Sequence, residues 1–293
     1  MPFNVLGDGR DRFQVAMEGA RGTPAARHAD VALPTPGGRT CMVRVTWPID
    51  MPRKLPVVAL AAAEGSSGAD YDRLAGGLAV GGHFVVMPDT PGPLRGTSAQ
   101  AAQRAAAQRA AELRFTLDSI PLLRRQLGAS ANAVDMERCV AIGHREGAWT
   151  ALGLIGLSRG YGTDTSHRDG RVRGAVALHP VAAPIAAARD ATIVGGRGMV
   201  VTLPGQAAPP SGSRLLHLSV PARGDTYGGL IGPQRFSARL GQRDGEALAA
   251  VAAASLLLFE WAIDGDNDRR RDLLALDGRG LPGVAGPLGV REV

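Results

Sequence analysis

The chain has 293 residues, 45% apolar and 20% charged, a balance that excludes wholesale disorder and allows one large α/β domain with a full core. Its formal net charge is +6, but Lys54 is the sole lysine and aromatics make up 4%. The one dense basic run, Arg269-Arg270-Arg271, is flanked by Asp268 and Asp272, so neither a cationic footprint nor a stacking surface for nucleic acid is expected.

In chain order, residues 1–14 lack the charged start and continuous apolar stretch of a secretory leader. Residues 22–38 are rich in Gly and Pro and read, with everything before them, as an N-terminal flank spanning 1–38. Residues 41–47 alternate like an edge strand, and 55–61 form an apolar run suited to a strand buried on both faces. A short helix over 70–79 and a strand over 83–87, closed by Pro88, come next. Residues 98–127 make a long helical stretch interrupted at Pro121. A strand over 138–142 then meets a helix over 146–157. Further strands are expected at 173–178, 199–203 and 215–220, and a strong closing helix at 244–263. Residues 276–293 read as a C-terminal tail, which leaves 39–275 as the domain. Alternating strands and helices of this kind build a mostly parallel, twisted sheet with helices on both faces, in a single domain.

Cys41 and Cys139 fall inside apolar runs and read as small buried hydrophobes, not as a disulfide or metal pair. No clustered His, Cys or carboxylate spacing points to a metal, and no Gly-rich phosphate loop follows a strand, so no cofactor is expected. The uncharged run 247–259 is too short to span a bilayer and stops at Glu260. A cytoplasmic protein that binds no membrane and no nucleic acid is the expectation.

The most informative motif is Gly143-His144-Arg145-Glu146-Gly147. It has the frame of a Gly-x-Ser-x-Gly nucleophile elbow, in which a sharp strand-to-helix turn exposes the central side chain. The central residue here is arginine, whose guanidinium stays protonated at any working pH and cannot attack a carbonyl.

Several phrases in order resemble the α/β-hydrolase superfamily, in its dienelactone-hydrolase-like and platelet-activating-factor-acetylhydrolase-like branch. They are Leu55-Pro56-Val57-Val58 leading to Glu64-Gly65-Ser66-Ser67-Gly68 and Asp70-Tyr71; Pro88-Asp89-Thr90-Pro91-Gly92; the elbow; Val176-Ala177-Leu178-His179-Pro180; and Asp264-Gly265-Asp266 after the closing helix. The resemblance spans roughly residues 43–274 and implies an α/β-hydrolase fold. It also implies that the His-Gly pair before the oxyanion loop falls on Ala62-Ala63, with Glu64 in the donor position. The triad's nucleophile, acid and base fall on Arg145, Ala208 and Asp225, none of which suits its role, and no histidine lies between residue 218 and the end. The resemblance therefore implies a degenerate triad.

Three functions remain open. The first is a pseudoenzyme, a binding, regulatory or assembly subunit. Its partners would be another protein or a second copy of the chain, or a small anionic or organic ligand held by Glu64, Gly65, Arg145, Glu146 and His179. The second is a repurposed lyase, cyclase or isomerase that uses Glu64, Asp225 or His179 as acid and base. The third is an esterase or dienelactone hydrolase with its nucleophile moved to Ser66 or Ser67. His144 and His217 read as scaffold. Arg145 is expected to meet a carboxylate, with Asp225 the first choice and Glu64 the second.

Overall fold

The structure, a computed structural model, describes residues 26–49, 54–89, 99–128, 134–158, 167–180, 192–193, 195–202, 215–220, 242–280 and 286–293. Two strands, β1 (Ala26–Pro34) and β2 (Thr40–Pro48), open it as an antiparallel hairpin. β3 (Leu55–Ala61) follows, and all seven of its residues are buried. A short 3-10 turn, Gly68–Tyr71, leads into α1 (Asp72–Val80), and β4 (Phe84–Pro88) comes next. The long helical stretch is two helices, α2 (Ala99–Asp118) and α3 (Ile120–Leu127). Pro121 sits in the first turn of α3, where a missing N–H costs nothing, so the chain breaks just before it.

β5 (Val134–His144) and α4 (Glu146–Leu154) flank the elbow. The remaining strands are β6 (Leu157–Ser158), β7 (Val172–Leu178), β8 (Thr192–Ile193), β9 (Arg197–Thr202) and β10 (Leu215–Ser219). The chain closes with α5 (Gln242–Asp264), α6 (Asn267–Leu274) and β11 (Gly289–Glu292). Nine strands form one sheet in the order β1-β2-β4-β3-β5-β7-β9-β10-β11. The six from β4 to β10 run parallel, and β1, β2 and β11 join them antiparallel. The protein is a single mixed α/β domain with six α-helices among its described residues.

Strand parity assigns the two faces, because successive side chains point to opposite sides of a sheet. Val58, Leu60, Val140 and Ile142 face one core with α1 and α5, whereas Val57, Ala59, Cys139 and Ala141 face a second core with α2, α3 and α4. From Ala247 to Phe259 every residue of α5 is buried, which explains why it carries no polar stripe. The segment Ala247–Asp264 is long and apolar enough to cross a membrane by composition, but 72% of it is buried within the protein.

Two boundaries differ from the sequence expectation. β1 lies inside the expected N-terminal flank, so β2 has neighbours on both sides and is not the edge. β1 itself shows the alternating exposure of an edge strand, and Thr35 and Gly38 close the turn that joins it to β2 through Gly38 N–H to Thr35 O and Thr35 N–H to Arg39 O. At the other end β11 lies in the expected tail and pairs with β10, burying Leu288 and Val290. With four residues and one apolar side chain, Val290, β11 has too short a pattern to be read without its partner strand.

Candidate functional site

In an open α/β sheet, ligands gather at the carboxyl ends of strands where the chain reverses the direction of strand addition. That reversal falls between β3 and β5. The chain passes from β3 through α1 to β4 on one side, then returns through α2 and α3 to β5 on the other. Glu64 follows the carboxyl end of β3, Arg145 follows β5, and His179 follows β7, so the fold brings three of the expected site residues to one rim.

Arg145 is the turn residue between β5 and α4, with φ 52° and ψ −111°. His179 has φ 46°, and these two are the non-glycine residues with positive φ among those described. Such backbone strain costs on the order of 1–3 kcal/mol per residue and persists only where the surroundings enforce it. The enforcing contacts are visible. Arg145 N–H donates to Leu178 O at 2.9 Å, and His179 N–H donates to Val201 O at 2.8 Å. Both glycines of the motif are required by close approach: a Cβ on Gly143 would overlap the Gly147 carbonyl, and one on Gly147 would overlap Ala61 O.

The arginine projects from the turn half exposed, and the carboxylate it meets among the described residues is Glu146, its neighbour, with Nε to Oε1 at 3.9 Å. This corrects the expected choice of Glu64. Glu64 instead contributes its backbone, donating its N–H to Glu146 Oε2 at 3.2 Å. One carboxylate thus bridges the rim, touching the guanidinium on one side and an amide from the β3 loop on the other. At this exposure the ion pair is worth under about 1 kcal/mol. The chemical consequence is larger than the energy, because an amide that could receive an outside anion already has an internal one.

Beneath the turn lies a buried polar chain. Tyr71 Oη accepts the Ala63 N–H at 2.7 Å and lies 3.0 Å from His144 Nδ1. Burial pushes the Tyr71 phenol up to about 12. Burial, then the nearby His179 and Arg145, push His144 down to about 3. A base that weak cannot take a proton from a serine hydroxyl, so His144 is unsuited to activate the nearby Ser66. Ser67 Oγ donates to Asp70 Oδ2 at 3.1 Å. Tyr71 stands in the sequence only as part of the Asp70-Tyr71 phrase; the available signal was that a buried phenol needs a hydrogen-bonding partner.

The other sequence candidates are placed as follows. Ala208 and Asp225 lie outside the described residues, so the expected Asp225 partner for Arg145 does too. Gly65, with φ 76°, occupies the turn closed by Ser66 N–H to Ala63 O. His217 is buried on β10 with Nε2 2.7 Å from Thr202 Oγ1, and burial lowers its pKa. Cys41 and Cys139 are both free thiols, and burial pushes Cys139 up to about 12. Among the described residues no group of three or more His, Cys, Asp or Glu could hold a metal. No protein-family model and no curated protein matches the chain.

Proposed function

We propose that this chain is a catalytically degenerate α/β-hydrolase-like protein that serves as a binding, regulatory or assembly subunit. Support for the hydrolase-like fold comes from the strand order β1-β2-β4-β3-β5-β7-β9-β10 with an antiparallel β2, together with the strained turn after β5. In an active elbow enzyme, the oxyanion hole is made by the N–H after the nucleophile and an N–H from the loop after β3. The observation that carries the proposal is that Glu64 N–H, the β3-loop amide, donates to the Glu146 carboxylate. A negative charge held there opposes the charge that acyl transfer must develop. Arginine at the turn removes the nucleophile as well.

The strain retained at both Arg145 and His179 favours a second reading, a lyase, cyclase or isomerase built on the same rim. In that reading His179 is the acid or base, since burial keeps His144 neutral.

The proposal is tested with p-nitrophenyl acetate and the purified protein. Hydrolysis no faster than the buffer blank is expected, both for the natural chain and for Arg145→Ser, because a serine at that turn still lacks a base and faces the Glu146 carboxylate. Saturable turnover by the natural chain would restore a hydrolase.

A further inference from the structure

On the far side of β3 from the elbow, the structure holds a cavity of about 580 Å³ between the β1–β2 turn, the end of β4 and one face of α2. Its helical wall is built from Gln108, Glu112 and Phe115, with Ala111 between them, the i, i+4, i+7 spacing that aligns side chains on one helix face. The opposite wall carries Arg39 and Cys41, and Asp89 closes the end. The turn behind Arg39 is fixed by the Thr35 hydroxyl and amide, which both donate to Arg39 O at 2.8 Å. Asp89 is anchored to β2 by its N–H to Met42 O at 2.8 Å.

The volume lies within the range of small-molecule sites, which are part-apolar and carry a few convergent polar groups. Two carboxylates and one guanidinium line it, a net charge of one negative. Burial raises the Glu112 carboxyl, although Gln108 donates to it at 2.9 Å and Arg39 and Arg109 oppose the rise. Burial and Asp30 raise Asp89, with Arg44 opposing them. Burial, then Glu112 and Asp89, raise the Cys41 thiol, so both carboxylates act on the same interior. A cation would be favoured in that space, and the Phe115 ring offers an aromatic surface for its apolar part or its charge.

We propose that this cavity binds a small organic ammonium compound, with its charge between Asp89 and Glu112 and its hydrocarbon portion against Phe115 and Cys41. The site is separate from the elbow and does not depend on the function assigned there. An anion of the same shape should be excluded by the two carboxylates, which distinguishes this site from a general apolar cleft.

The probe is 2-phenylethylamine, followed by saturation-transfer NMR on the full-length protein, with phenylacetate as the anionic counterpart. Saturable binding of the amine and none of the phenylacetate are expected. The Asp89→Asn/Glu112→Gln double variant should weaken amine binding by at least about tenfold. Capping Cys41 with N-ethylmaleimide, while buried Cys139 stays unmodified, should abolish it; this arm stands even if the double variant does not fold. Absence of amine binding, equal binding of phenylacetate, binding unchanged in the folded double variant, or binding that survives Cys41 capping would each overturn the proposal.

Discussion

Replacing Gly143 with alanine is expected to cost more than about 4 kcal/mol, most or all of the stability of a domain this size. The added methyl would overlap the Gly147 carbonyl and lie 2.7 Å from Ala148 Cα. Both are backbone atoms of α4, so no rotamer change relieves the clash, and moving the helix would open the core it shares with Ala141 and Leu117. Gly128 provides the contrast. It has φ 78° and ψ −167° with nothing within 4 Å of an added Cβ, so alanine there brings only backbone strain, on the order of 1–3 kcal/mol. Urea denaturation followed by circular dichroism checks both variants. A Gly143→Ala protein as stable as the Gly128→Ala protein would mean that α4 does not approach β5 as closely as described.

Acid sensitivity centred on His144 is the second large effect. An unfolded histidine titrates near 6.5, and the folded one is held down to about 3. The folded pKa is depressed, so above pH 6.5 both states are neutral and the group contributes nothing to the pH dependence. Below 6.5 the unfolded chain takes up a proton that the folded protein refuses, and stability falls. The loss is about 2 kcal/mol at pH 5 and grows until about pH 3, where the folded state accepts the proton too. His217, also lowered by burial, acts in the same direction. In a His144→Asn variant the stability at pH 7.5 should drop, because the contact with Tyr71 is altered, but the fall from pH 6.5 to 4 should be shallower than in the natural chain. Parallel pH profiles for the two proteins would show that His144 titrates normally in the fold.

The sheet's parallel core was legible because its strands are buried on both faces and read as apolar runs; 55–61 needed no partner to be recognised. The antiparallel edges were not. β1 exposes alternate residues and gains its register only by pairing with β2, and β11 is shorter still. The turn at Arg145 was legible because glycines at 143 and 147 are demanded by backbone contact, which leaves a mark in sequence. What Arg145 touches left no such mark. A guanidinium on a half-exposed side chain can reach several carboxylates, and the nearest in sequence, Glu146, lies within reach along the same helix start. Tyr71 was likewise hidden, since its link to His144 joins residues 73 positions apart and becomes visible only when β3 and β5 lie side by side.

The central claim is that this elbow no longer carries an activated nucleophile. The most direct measurement is intact-mass spectrometry of the natural chain after incubation with a fluorophosphonate, with peptide mapping of any adduct. The account predicts an unmodified mass, because arginine occupies the turn, Glu146 occupies the Glu64 amide, and buried His144 cannot activate Ser66. A stoichiometric adduct on Ser66 or Ser67 would contradict it, showing that this rim carries an activated serine.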